Sequence, residues 1–275
     1  MDFTDDTRLR PVGDGRFEAD LTDRWWIVTG PNGGLLAALL LRAAEALLAE
    51  RRPELSPRIL TVQFLAGPKA GSVQLDAAVE REGRRVAFTT VRMTQGDALI
   101  CQAKVTFAAS LTDEFDHDDH APAPVPAPAE CPVHDRTATY GNARTRWERR
   151  TVELDQPGTV ASWLRLDPPV PVDAAVLALM CDNLPPSLRS HEPDPDLAER
   201  LHTTTIEMTV YFRRADPGVA PDEHCLTILR SASAVEGLHQ EEGEVYAPDG
   251  RLLATSRQLA LVFRRPPSST SSSAS

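Results

Sequence analysis

Gly96 to Phe107 reads GDALICQAKVTF, and Asp249 to Phe263 reads DGRLLATSRQLALVF. Each starts in a tight turn, Gly96-Asp97 in one and Pro248-Asp249-Gly250 in the other, then runs into an apolar stretch of the kind that completes a hairpin. The same piece occurs once in each half of the chain, which points to an internal duplication.

Working outward from either copy, the same order of elements appears. In the first half, Gly33 to Glu50 (GGLLAALLLRAAEALLAE) is rich in Leu and Ala and stops before Arg51, Arg52 and Pro53, so it reads as a helix buried on most of its circumference. Strands are expected at Arg58–Leu65, Ser72–Arg81, Val86–Gln95 and Ala98–Phe107, with a short turn at Glu82–Arg85. In the second half a strand at Thr159–Leu166 precedes an apolar helix, Val172–Leu184, that Pro185 and Pro186 stop. Further strands follow at Thr203–Phe212, His224–Ala234, Glu244–Ala247 and Leu252–Phe263. The expected fold is α+β: two units, each an antiparallel sheet wrapped around a central helix.

Between the copies lies Ser110 to Pro132, SLTDEFDHDDHAPAPVPAPAECP, an acidic cluster followed by alternating Ala and Pro. Alternating proline cannot support helix or ladder hydrogen bonds, so this reads as an extended, semi-rigid linker. The chain therefore divides into a first unit (1–109), a linker (110–135), a second unit (136–265) and a Ser-rich tail (266–275) with nothing to bury.

The 275 residues are 41% hydrophobic, enough to bury a full core, and the formal net charge of −11 argues against nucleic acid as a partner. No apolar run is long enough to insert in a membrane, and the charged start MDFTDDTRLR is unlike a secretory signal, so a cytoplasmic location is expected. Cys101, Cys131, Cys181 and Cys225 are far apart and read as reduced thiols rather than a zinc site or a disulfide framework. The run Asp116-His117-Asp118-Asp119-His120 has ligand-type residues but reads as solvated linker, so no metal and no cofactor is expected. GxSxG, GxxxxGK[ST], HExxH and GxGxxG are all missing, which removes the main support for serine hydrolase, NTPase, zincin and Rossmann readings. Trp25 and Trp26, at a loop-to-helix junction, read either as core plugs or as the wall of a pocket.

Four places invite a chemical reading. Gly30-Pro31-Asn32-Gly33-Gly34 opens the first buried helix, where small residues and free N–H groups suit either an anion or oxyanion, with Gly33 and Gly34 as donors, or simply a tight entry turn. Asp182, in MCDNLPP, ends an apolar helix, where both burial and the helix dipole disfavour its charge; the alternative role is an Asx turn. Aligning the two copies through Leu99-Ile100 and Leu252-Leu253 sets Gln258 against Val105, so one copy carries an amide where the other is apolar, unless Gln258 faces solvent. Thr205, in TTTIEMTVYF, would pass as ordinary strand composition on its own. Together a carboxylate, an amide and a hydroxyl can hold one water for attack on a carbonyl.

The segments GPNGGLLAALLLRAA, VQFLAGPKAGSVQLDAAVEREGRRVAFTTVRMTQGDALICQAKVTF, TTTIEMTVYFRR and LLATSRQ resemble the TesB-like acyl-CoA thioesterase family, over roughly Trp25 to Phe263. The resemblance implies two fused hotdog domains, hydrolysis of fatty acyl-CoA, association into a homodimer or larger homo-oligomer, and a catalytic trio at Asp182, Thr205 and Gln258. The family pattern FLRPG is replaced here by Phe64-Leu65-Ala66-Gly67-Pro68, so an arginine is missing beside the expected substrate entrance. The implied mechanism is water attack with Asp182 as base, with direct attack by Asp182 to give an anhydride as a variant. Two competing readings keep the fold and change the function: a hotdog protein that binds acyl or aryl thioesters without cleaving them, and a hydratase, which would need a His near Gly30–Gly34 where none occurs.

Overall fold

The computed structural model describes residues 2–27, 30–111, 115, 117–134 and 141–264. In chain order the elements are α1 (Phe3–Asp6), β1 (Arg10–Gly13), β2 (Arg16–Leu21), α2 (Gly33–Leu48), β3 (Leu55–Phe64), β4 (Gly71–Glu82), β5 (Val86–Gln95), β6 (Ala98–Ala109), β7 (Trp147–Val152), β8 (Thr159–Leu166), α3 (Ala174–Met180), α4 (Pro195–Arg200), β9 (Leu201–Phe212), β10 (Cys225–Val235), β11 (Leu238–Tyr246) and β12 (Leu252–Arg264). The strands form one 12-stranded sheet in the order β1-β2-β4-β5-β6-β3-β9-β12-β11-β10-β8-β7. Every neighbouring pair is antiparallel.

The expected duplication is visible in this order, because each half repeats the same sequence of neighbours outward from the β3–β9 junction. At that junction Thr61 faces Thr209, with their hydroxyls 3.0 Å apart. A pseudo-twofold axis through this pair makes Leu60 equivalent to Met208. Rather than two separate sheets, the hotdog halves share one continuous surface, and the central helices lie together on its inner side.

Local chemistry explains the helices. Asn32 caps α2 by accepting from Leu35 N–H at 3.2 Å, and Asp173 caps α3 by accepting from Val176 N–H at 3.0 Å. Leu and Ala of α2 from Leu35 to Leu41 are buried, as are Ala175 to Met180 of α3. The second helix is shorter than the Val172–Leu184 read from its apolar residues. It begins only after the Asp173 cap, and past Met180 the backbone tightens, with Asp182 N–H bonded to the Leu179 carbonyl and Asn183 N–H to that of Met180. Pro185 and Pro186 then forbid a return to helix. Strands β1, β2 and β7 and helices α1 and α4 had no counterpart in the periodicity, and β11 begins at Leu238, ahead of the Glu244 start that its polar residues suggested.

The last part of the Ala/Pro segment lies against the second half. The Pro126 carbonyl accepts from Trp163 Nε1 at 3.0 Å, Thr151 N–H donates to the Pro132 carbonyl, and His134 N–H donates to the Arg149 carbonyl. These contacts cover the outer side of β7. At the other end β1 is a four-residue strand containing Pro11. Both sheet edges are thus protected within the chain. The Ser-rich tail and Asp116 fall outside the described residues. No helix among the described residues is long and apolar enough to cross a membrane.

The helices meet at Gly34, where a Cβ would lie 2.9 Å from the Leu179 Cα and 2.8 Å from the Asn32 Oδ1. Elsewhere in a helix Gly→Ala stabilises by roughly 1 kcal/mol. Here Gly34→Ala is expected to destabilise by about 1–3 kcal/mol because two backbones must separate. Denaturant midpoints check this, and a stabilised variant would contradict the contact.

Candidate active site

Asp182 follows α3 and faces the start of α2. Its Oδ2 accepts the Gly34 N–H at 2.9 Å, and the Gly33 backbone also favours the charged carboxylate. The Asn32 side-chain amide donates to the Asp182 main-chain carbonyl at 2.8 Å. A side chain at Gly33 would displace the carboxylate, since a Cβ there would sit 2.9 Å from Asp182 Oδ2. The anion found at this helix start is therefore the protein's own carboxylate, and the N–H of Gly34, expected to serve a substrate oxygen, is engaged by Asp182. One half of the duplication supplies the donors and the other the acid.

Gln258 is 5% exposed and points inward from β12, not to solvent. Its Nε2 donates to the Cys181 carbonyl at 2.9 Å, and the side chain also favours the ionised Asp182. Thr205, on β9, donates its hydroxyl hydrogen to Gln258 Oε1 at 3.0 Å. Asp182, Thr205 and Gln258 are thus brought together as a connected set. The register also bears out the Gln258–Val105 comparison. Val105 lies opposite Leu60 and Gln258 opposite Met208, and Leu60 and Met208 are equivalent about the axis.

Burial raises the Asp182 pKa from 3.8 to about 6 and outweighs the hydrogen bonds from Gly34, Gln258 and Gly33, which act in the opposite direction. The carboxylate opens onto a cavity of about 140 Å³ lined by Asn32, Trp147, Leu184, Pro185 and Pro186. That is room for more than one water beside the carboxylate. Arg144, Arg149 and Arg189 also line it. Burial, with Arg144 nearby, lowers the Arg149 pKa to about 10. An acidic chain thus concentrates positive side chains at one mouth. Among the described residues no group of three or more His, Cys, Asp or Glu is arranged to hold a metal.

Sequence reading did not single out Asn32 or Arg149. An Asn directly before two helix-opening glycines is a capping signature that could have marked Asn32; Arg149 sits on the unread strand β7. Trp25 is a core plug: it packs edge-on against Phe3 and donates from Nε1 to Asp6 at 2.9 Å.

The chain matches the acyl-CoA thioesterase N-terminal domain over residues 22–108 and the acyl-CoA thioesterase C-terminal domain over residues 117–262. Its fold is similar to that of a hot dog fold protein of unknown function from Alicyclobacillus acidocaldarius, 28% identical with a TM-score of 0.83, over 96% of this chain and 98% of that one. It is also similar to an acyl-CoA thioesterase II from Mycobacterium marinum, 21% identical with a TM-score of 0.78 over 96% and 98% of the two chains, a likeness of fold alone. An uncharacterised protein of Mycobacterium tuberculosis is 30% identical over 113 residues, 38% of this chain and 39% of that protein's length.

A carboxylate whose folded-state pKa is raised stabilises the fold below its unfolded value and loses that contribution as pH rises through the folded one. For Asp182 the window runs from 3.8 to about 6. Asp182→Asn, which can still accept from Gly34, is expected to match the wild type near pH 4 and to be more stable at pH 8, by at most about 3 kcal/mol. Chemical denaturation at the two pH values measures this; a difference independent of pH would contradict the burial of a charge.

Proposed function

Because the chain belongs to the acyl-CoA thioesterase family, we propose that it hydrolyses fatty acyl-CoA thioesters to the free acid and CoA by attack of a water that Asp182 deprotonates. The observation that carries this reading is the half-buried Asp182 carboxylate, which lines a cavity, is held at a helix start, and neighbours Gln258, the acceptor of the Thr205 hydroxyl. Its pKa of about 6 leaves it ionised at neutral pH yet basic enough to take a proton as the nucleophile forms.

In the proposed step, water oxygen bonds to the thioester carbon, its proton passes to Asp182, and the carbonyl π electrons move onto oxygen. Asp182 loses its charge as the oxyanion gains one. The Gly33 and Gly34 N–H groups that served the carboxylate are then released to the oxyanion, so one helix start supports both charges in turn. Collapse of the intermediate breaks the C–S bond, and the proton on Asp182 goes to the departing thiolate. Thr205 gives its hydrogen to Gln258 and keeps lone pairs free to accept from the water. The arginines at the mouth favour a thioester carrying phosphates over a neutral one.

Asp182→Asn should cut turnover of a medium-chain acyl-CoA by roughly a hundredfold or more, because an amide cannot take the proton. Gln258→Ala and Thr205→Ala should cost less, since they orient the water without accepting its proton. Free CoA release under steady-state conditions decides it. Equal measurable rates for wild type and Asp182→Asn would remove Asp182 from the mechanism, and no CoA release from either would leave the non-hydrolytic thioester binder as the better reading.

We also propose a homo-oligomer, though not by edge pairing, since both edges are protected. The outer sheet face carries exposed Leu238, Leu259, Leu261 and Phe263, an apolar area suited to a second copy. Light scattering in the micromolar range should return a multiple of 30.1 kDa, and the monomer mass would refute it.

A further inference from the structure

A second carboxylate lies buried behind the trio. Glu241, on β11, is 8% exposed. It accepts the Ser187 N–H at 2.8 Å and the Ser187 hydroxyl on the same oxygen. Ser187 directly follows Pro185 and Pro186, which line the cavity with Asp182. Across the sheet Glu241 is the direct partner of Gln258, so the two side chains stand on the same inner face.

The duplication shows that this carboxylate is no general requirement of the fold. Thr89 pairs with Val105 on the first-half strands that match β11 and β12. Since Val105 is equivalent to Gln258, Thr89 is equivalent to Glu241. Thr89 is buried too, and its hydroxyl is satisfied by the Val105 carbonyl at 3.3 Å. A Thr/Val pair thus fills the site in the half that has Leu41 at the counterpart of Asp182, counted from the helix caps, and a Glu/Gln pair fills it in the half that carries Asp182. Burying a carboxylate near a second one is costly, and nothing in the first half needs it.

We propose that Glu241 is a positioning residue for the reaction at Asp182, tying the cavity-lining turn Pro185–Pro186 to the strand that carries Gln258. The proposal rests on the thioesterase reading of the site. The polar groups around Glu241 are Ser187 from the turn, Ser231 opposite it on β10, Gln258 opposite it on β12, His239 two residues along its own strand, and Asp182. Burial first, and then the Asp182 charge against the hydrogen bonds of Ser187, brings the Glu241 pKa to about 7. Because each acid feels the other's charge, ionisation of Glu241 strengthens Asp182 as a base while tightening the Ser187 tie.

The test compares Glu241→Gln and Glu241→Leu with the wild type over pH 5–9, measuring kcat and KM for a medium-chain acyl-CoA and the thermal midpoint of each protein. Gln keeps an acceptor for Ser187, so it should hold kcat within about threefold of wild type, while Leu should lose about tenfold or more in kcat with a smaller change in KM. The wild-type rate should rise in two steps, and the second, near pH 7, should vanish in Glu241→Gln. A folded Glu241→Leu with wild-type kcat, or a Glu241→Gln profile that keeps both steps, would overturn the proposal; if Leu fails to fold, the Gln profile alone decides. Failure of the thioesterase reading looks different, because the wild type itself would then release no CoA at any pH.

Discussion

The hydrogen bond from the Gly34 N–H to the Asp182 carboxylate is the interaction on which the rest of the site depends. A carboxylate at the end of an apolar helix has no local compensation, and the short α3 offers it only its own carbonyls. The positive start of the longer α2 supplies what is missing. That contact demands a backbone approach close enough to exclude any side chain at Gly33 or Gly34, which in turn sets how the two helices cross and how the halves sit on their shared sheet. Asn32 adds to the same tie from its cap position by reaching the Asp182 carbonyl.

The duplicated geometry offers this arrangement twice, yet only one of the two positions has the chemistry. Counting from each cap, Leu41 is the counterpart of Asp182, and Asp173-Ala174-Ala175 stands where Asn32-Gly33-Gly34 stands in the other half. At that second helix start Asp173 caps α3 with Oδ1 and pairs with Arg42 of the other half through Oδ2 at 2.5 Å, where Asn32 caps α2 with Oδ1 and donates from Nδ2 to the Asp182 carbonyl. Val105 and Thr89 replace Gln258 and Glu241. One half has kept a packed core at the position where the other carries a buried polar network, and each polar member of that network has a partner.

Much of this was legible because it departs from what a core would otherwise hold. Asp182 stood out as an acid in an apolar helix end, Gln258 as an amide aligned with Val105, and the glycines as an opening too small for ordinary packing. The first central helix follows from its near-continuous apolar run, and the strands from Arg58 to Phe107 from alternation, since in β5 and β6 buried positions largely alternate with exposed ones. Other parts were hidden for physical reasons. Glu241 lies in LHQEEGEVY, whose inward positions His239, Glu241 and Gly243 are not apolar, so the sequence shows a strand only from Glu244. Strand β7 is dense in arginine and glutamate because it borders the cavity mouth and carries ion pairs such as Arg150–Glu148 at 2.8 Å. The end of α3 could not be read because its apolar residues continue past the point where the backbone turns, and only the i to i−3 bonding after Leu179 marks the change. The Gly34 N–H was assigned to a substrate because no sequence pattern reveals that a residue from the opposite half reaches it first.

Attack by water and attack by Asp182 on the thioester differ in whether an acyl group is ever carried by the protein. A single turnover of acyl-CoA in ¹⁸O-labelled water, with excess enzyme, followed by mass spectrometry of the released acid and of the peptide carrying Asp182, separates the two most directly. Attack by water puts one labelled oxygen in the acid and leaves neither label nor an acyl mass on the Asp182 peptide at any quench time; an acyl adduct or label at Asp182, or no acid released at all, would contradict the account.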